Sequence, residues 1–258
     1  NWGIRTGQAL HAVGINMNFA PVLDIHTNPQ NPVIGDRAFG SNPTLVSKHG
    51  MAVIAAMLDQ RVIPCGKHFP GHGDTNVDSH FALPVIDHDV SHLDERELRP
   101  FAHAIENRLP CIMTAHLCCR ALDPDLPASL SEKIVNGLLR KTMKFNGVVV
   151  TDDLEMKGIT DQFSVPEAAV KSVAAGSDLL LVCHSFDRQM AAIEALDAAV
   201  SKGTISHGSL NQSLERLLFL KKHFILNRPK QDLQALRKTI GSPAHSTLVE
   251  SIQQRGQG

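Results

Sequence analysis

Residues 147–153 read Gly-Val-Val-Val-Thr-Asp-Asp. A short β-branched run, apolar at successive positions, suits a strand buried on both faces, and this one ends in two adjacent carboxylates. The pattern recurs on either side. Residues 15–23 (INMNFAPVL) lead to Asp24, residues 62–65 (VIPC) to Gly66-Lys67-His68, residues 111–115 (CIMTA) to His116, and residues 177–183 (SDLLLVC) to His184. Apolar spacing of helical type fills the intervals, over residues 43–60, 91–107, 131–143, 166–175, 186–201 and 209–224. Strands alternating with helices imply a parallel sheet with right-handed crossovers. No G-x-G-x-x-G follows a strand, which weakens a dinucleotide-binding reading. Asp24, Lys67-His68, His116 and Asp152 instead stand at the C-terminal ends of four different strands, where a barrel carries its site. The expected fold is α/β, a (β/α)8 TIM-type barrel, of which only the C-terminal five βα units are apparent in this chain. Three further strands are expected on the N-terminal side.

Composition narrows the class. The chain has 258 residues, 43% hydrophobic and 20% charged, enough for one full core, and a formal net charge of −1. That balance lacks the basic footprint of a nucleic-acid binder. No stretch reaches the ~20 apolar residues that a membrane span needs. Five irregularly spaced cysteines argue against a disulfide framework and for a reducing compartment. The cytoplasm is the expected location; the periplasm or the exterior is the alternative if a signal peptide lies upstream.

The densest chemistry lies in residues 67–80, KHFPGHGDTNVDSH. A long polar loop leaving a strand end is characteristically a working loop. His68, His72, Asp74, Asp78 and His80 are of zinc-ligating type, but no C-x-x-C or H-E-x-x-H pattern supports a metal, and neither metal nor cofactor is expected. At Asp152-Asp153 one carboxylate is expected to cap the following turn while the other faces the barrel mouth.

These stretches resemble glycoside hydrolase family 3, specifically its β-N-acetylglucosaminidase branch. The resemblance rests on NFAPVLD (18–24), NPVIGDR (31–37), KHFPGHGDTNVDSH (67–80), MTAH (113–116), VTDDLEM (150–156) and LLVC (180–183), in family order over about residues 3–226. It implies a retaining exo-hydrolase acting on an amino-sugar glycoside, terminal β-linked N-acetylglucosamine, with muropeptide-derived glycosides as one source. Asp152 would be the nucleophile and Asp153 structural. His80 would be the acid/base, oriented by Asp78, and Arg37, Lys67 and His68 would bind sugar hydroxyls. A histidine suits that role because imidazole gives and takes protons near neutrality, and a neighbouring carboxylate fixes its tautomer. Asp24, His116 and Met156 complete the candidate substrate-binding set.

Each assignment has a structural rival. Arg37 could pair only with Asp36, Asp24 could organise the pocket floor, His116 could satisfy a core hydrogen bond, and Met156 could be plain core. His72, between two glycines, reads as a loop-holding residue. Two functional alternatives stay open: a phosphorylase, because a histidine repels phosphate less than a carboxylate does, and an inactive sugar-binding fragment. The second arises because the family's upstream D-x-E-G-G-x-V-x-R segment, whose Asp binds sugar, is not found here. The expected organisation is a catalytic barrel over residues 1–226, then a linker and helical tail over 227–258, with the linker near Pro229. Oligomeric state is not legible.

Overall fold

A computed structural model of the chain describes residues 2–226 and 233–255. The expected linker around Pro229 lies outside these residues. Among them, five parallel strands form one curled sheet, the greater part of a barrel wall. The strands are β1 (Met17–Asn18), β2 (Ile63–Phe69), β4 (Cys111–Thr114), β6 (Val148–Asp153) and β7 (Leu179–Leu181), ordered β1-β2-β4-β6-β7. Strands β3 (Val85–Ile86) and β5 (Cys118–Cys119) pair separately. Register is direct where the sheet is regular: Cys111, Ile112, Met113 and Thr114 lie opposite Val148, Val149, Val150 and Thr151.

The continuous apolar runs fill two faces. Ile63, Cys65, Cys111, Met113, Val148 and Val150 face inward and pack with Leu220, flanked by Leu217 and Phe224, of helix α8 (His207–Phe224). Their neighbours Ile112 and Val149 face outward into a larger core with Phe101, Leu139 and Phe145. Both faces are dry, so the period-2 polar alternation of a half-exposed strand never develops.

Local chemistry sets the helix ends. Asn42 caps α2 (Pro43–Asp59) by accepting from the Thr44 and Leu45 N–H groups at 2.9 and 3.2 Å. Ser164 and Glu167 form a capping box at the start of α6 (Val165–Ala175), and left-handed Gly176 ends it. Helix α7 (Phe186–Ser201) has the bounds its periodicity predicts.

Some expectations are corrected. Residues 91–107 are not one helix: α3 (Val90–Glu95) and α4 (Arg99–Glu106) are separate, because Pro100 can begin a helix but not continue one. Residues 15–23 are not one regular strand. Only Met17 and Asn18 pair regularly, with Ile63 and Pro64. Beyond them the Ala20 and Pro21 carbonyls accept from the Cys65 and Lys67 N–H groups at 2.9 and 3.1 Å and the Leu23 N–H donates to the Lys67 carbonyl at 2.6 Å, but Pro21 has no N–H to complete the ladder. Residues 131–143 wind as a π-helix over Lys133–Thr142. Helix α1 (Trp2–Ala12) and short α5 (Lys157–Thr160) carry no strong periodicity and escaped the sequence reading, while α9 (Leu233–Thr239) and α10 (Pro243–Arg255) lie in the segment read as a helical tail. Residues of α1 and α10, among them Leu10, Leu248 and Ile252, line a shared cleft.

The sheet is pinned at the N-terminal end of β7 by Asp178. Its buried carboxylate accepts from Arg140 Nη2 at 2.6 Å, Arg216 Nη2 at 2.7 Å, the Ser213 hydroxyl at 2.6 Å and the Val149 N–H at 2.8 Å. One carboxylate thereby ties the π-helix, β6, β7 and α8 together. Removing one partner of a buried ion pair strands the others, at a cost of about 3–5 kcal/mol. Asp178→Ala should lose stability on that scale in urea unfolding, well beyond the loss from exposed Asp187→Ala.

Candidate active site

The site is built from strand ends inward. Asp24 follows the irregular first strand and is buried. Its carboxylate accepts from the His68 N–H at 3.1 Å, from His68 Nδ1 at 2.7 Å and from the His72 N–H at 2.7 Å. Three donors to one carboxylate outweigh the penalty of burial, and the Asp24 carboxyl sits below its usual range.

The loop that leaves β2 is then clamped from the same side. Asn31 Nδ2 donates to the carbonyls of His72 and Gly73 at 2.8 and 3.1 Å, while its Oδ1 accepts from the Val33 and Ile34 N–H groups. Asn28 donates to the Thr75 carbonyl at 3.1 Å. Gly73 packs so tightly on Ile25 that an added Cβ would overlap the Ile25 carbonyl. His72 is buried, with Nδ1 on the Thr75 hydroxyl at 2.7 Å and Nε2 on the Ser79 hydroxyl at 3.2 Å. These bonds hold the loop, and burial keeps the His72 imidazole below its ordinary titration range.

The far end of the loop is open. His80 has a side chain 60% exposed, and its Nδ1 lies 2.7 Å from Asp78 Oδ1. Asp78 also accepts from the His80 N–H at 2.9 Å. Burial works against the charge on Asp78, but these bonds and the His80 ring outweigh it and hold the carboxyl low. An ionised carboxylate can only accept, so Nδ1 carries a proton and Nε2 is the nitrogen left for chemistry.

Asp152 ends β6. Burial raises its carboxyl, but the His68 imidazole, the Asp153 N–H at 2.9 Å and Lys67 together hold it below its ordinary value. Asp153 is committed to the backbone. It accepts from the N–H groups of Glu155 and Cys183 at 3.1 and 3.2 Å, tying β6 to the loop after β7. A cleft of about 250 Å³ is lined by His80, Asp152, Asp153, Glu155, Met156, Lys157 and His184.

Of the residues singled out from sequence, this cleft brings together Asp152, His80 and Met156, with Asp78 behind His80. Lys67 lies outside the lining, yet within electrostatic reach of both Arg37 and Asp152: burial and Arg37 lower its ammonium, and Asp152 opposes them. Arg37 is exposed on a 3-10 turn over Gly35–Arg37, its Nη1 donating to the Val33 carbonyl at 2.8 Å. His68 is buried on Asp24.

His116 is fully buried, with Nδ1 on the Ser129 hydroxyl at 2.7 Å and Nε2 on the Asp153 carbonyl at 2.9 Å. The carbonyl requires an Nε2–H, so neutral imidazole satisfies both partners, in keeping with a titration range lowered by burial. Its bonds place the backbone at Asp152-Asp153. Sequence reasoning missed Glu155, which lines the cleft while accepting from the His184 and Ser185 N–H groups at 2.5 and 3.2 Å. It also missed the Asn31 clamp, although both residues lie inside the quoted motifs.

Comparison with known proteins gives a consistent set. The model of the glycosyl hydrolase family 3 N terminal domain matches residues 1–220. Beta-hexosaminidase A of Pseudoalteromonas piscicida is 38% identical over 267 residues, covering 95% of this chain and 44% of that protein. Beta-hexosaminidase of Idiomarina loihiensis is 39% identical over 189 residues, covering 73% and 55%. The structure of a glycoside hydrolase family 3 beta-N-acetylglucosaminidase from Paenibacillus sp. superposes with a TM-score of 0.93 at 44% identity, covering 97% of this chain and 48% of that one. The chain spans about half the length of the curated relatives it matches.

His72 and His116 make stability depend on pH. Both are held below the unfolded histidine value of about 6.5, so the unfolded chain binds more protons once the pH falls through that value. Their contribution is therefore fully present above about pH 7 and is lost on acidification, by at most about 1.4 kcal/mol per pH unit for each group. In urea unfolding between pH 7.5 and 5, His116→Gln, whose amide can still donate to the Asp153 carbonyl, should show a shallower decline than the parent protein. An unchanged slope would mean that His116 takes up its proton without unfolding.

Proposed function

The chain belongs to glycoside hydrolase family 3, and from that premise we propose that it forms the catalytic wall of a retaining exo-β-N-acetylglucosaminidase. One observation carries the reading: a single cleft presents the low-lying Asp152 carboxylate together with an exposed imidazole, His80, whose other nitrogen is committed to Asp78.

The chemistry follows from those two groups. With His80 doubly protonated, Nε2–H faces the glycosidic oxygen. Asp152 attacks C1 as the C1–O bond breaks, and the leaving oxygen takes the Nε2 proton. The products of this half are a glycosyl ester on Asp152 and a free aglycone. Water then attacks C1, Nε2 accepts the water proton, and the ester bond breaks to release sugar and regenerate the Asp152 carboxylate. Asp78 stabilises the imidazolium at each stage and keeps Nε2 pointed outward. Lys67 and Arg37 are assigned to sugar hydroxyls, with His68 beside them. Asp24 and His116, whose polar atoms are already bonded to protein, are assigned to positioning instead of sugar contact. Met156 supplies an apolar wall.

Hydrolysis is preferred to phosphorolysis because the relatives described above carry hydrolase names. Terminal β-linked N-acetylglucosamine is the proposed substrate, with muropeptide fragments as one source of it.

Substitutions in the full-length protein separate the two roles. Asp152→Ala should lower kcat on the order of 10⁴-fold or more on every β-N-acetylglucosaminide. His80→Ala should lower kcat/KM about 10²–10⁴-fold on glycosides with alkyl or sugar leaving groups and under about tenfold on a dinitrophenyl glycoside, whose departure needs no proton. Equal losses on both substrates would remove His80 from the acid role, and sugar 1-phosphate among the products would replace hydrolysis with phosphorolysis.

A further inference from the structure

Against the root of the same loop stands a second polar assembly that the proposed reaction does not use. Asp74 lies between Gly73 and Thr75. Its Oδ1 accepts from the Thr27 hydroxyl at 3.0 Å, and its Oδ2 is bound by His88 Nε2. The His88 ring lies flat on His92, with centroids 3.9 Å apart and an interplanar angle of 14°. His92 Nε2 stands 3.8 Å from Glu97 Oε2. Glu97 is 2% exposed, and neither carboxyl oxygen has a hydrogen-bond partner among the described residues. It is packed against the root of the loop: a Cβ on Gly71, which holds a φ of +136°, would lie 2.8 Å from the Glu97 Cβ.

We infer that His88 and His92, bracketed by Asp74 and Glu97, form a strut that positions the loop carrying His80. The inference rests on the acid/base role proposed for His80. The strut meets the loop twice, through Glu97 at Gly71 and through His88 at Asp74. Between those points run His72 and Gly73, held from the barrel side by Asp24 and Asn31. A loop gripped at several points over residues 71–75 can present an exposed dyad, three to five residues further on, in one orientation.

The chemistry of the four groups is consistent with a support. An ionised Asp74 can only accept, so His88 Nε2 is the donor. Two stacked imidazolium rings would repel at that spacing, so the assembly is most stable with fewer than two positive rings. An unpaired buried carboxylate is costly, and burial pushes the Glu97 carboxyl up. None of the four lines the cleft, so these are positioning residues.

The test is a double-mutant cycle in the full-length protein, with kcat and KM read on an alkyl and on a dinitrophenyl N-acetylglucosaminide. His88→Ala should lower kcat/KM on the alkyl glycoside about tenfold or more, through a displaced dyad, and leave kcat/KM on the dinitrophenyl glycoside within about twofold. In the His80→Ala background the same substitution should cost nothing further. His88→Gln, whose amide can donate to Asp74, should restore most of the loss. Equal losses on the two substrates, or additive losses with His80→Ala, would overturn the strut while leaving the acid role intact. Equal losses for His80→Ala alone would overturn both. Should His88→Ala not fold, His92→Ala provides the same cycle, with the same supporting and overturning results.

Discussion

The carboxylate of Asp24 is the interaction on which the rest of the site depends. It is buried, and burial alone would expel its charge. Three donors from β2 and the following loop retain it: two from His68 and one from the backbone of His72. The same bonds fix where the chain goes after leaving the sheet. Without them the loop would have no anchor on the barrel side at its first turn, and Asn31 would have no fixed carbonyls to grip.

From that anchor the site divides into a rigid half and an exposed half. Asp152 lies at a strand end, with its backbone placed by His116 and Asp153. The nucleophile role proposed for Asp152 benefits from such fixity, because attack at one carbon tolerates little displacement. His80 and Asp78 lie at the open end of a loop held firmly only at its root. In the acid/base role proposed for it, acting on a departing oxygen and later on an incoming water, His80 gains from exposure, provided its orientation is controlled. Asp78 controls the ring, and the loop's root controls Asp78.

Much of this was legible in the sequence because burial on two faces leaves a simple mark. The runs at 111–115 and 147–151 read as strands since nothing polar interrupts them, and the chemistry at their ends follows from parallel topology. The first strand was overread: only Asn16 and Asn18 interrupt the apolar residues over 15–23, but Pro21 lacks the N–H that regular pairing needs. The break at Pro100 was in plain view and was overridden by apolar spacing. At the site, the KHFPGHGDTNVDSH loop announced its residues but not their division. Asp24 and His116 look the same in sequence whether they touch sugar or hold backbone; only their hydrogen-bond partners separate the two. Asn31, Glu155 and the Asp74–His88–His92–Glu97 assembly depend on contacts between segments distant in sequence, or on stacking across a helix start, for which no local pattern exists.

The central claim is that Asp152, not its neighbour Asp153, becomes bonded to the sugar. Trapping the full-length protein with a 2-fluoro glycoside bearing a good leaving group, followed by peptide mapping, tests it directly. A stoichiometric adduct on Asp152 is the predicted result. An adduct on Asp153 or another carboxylate would contradict the account, and so would turnover with inversion and no adduct.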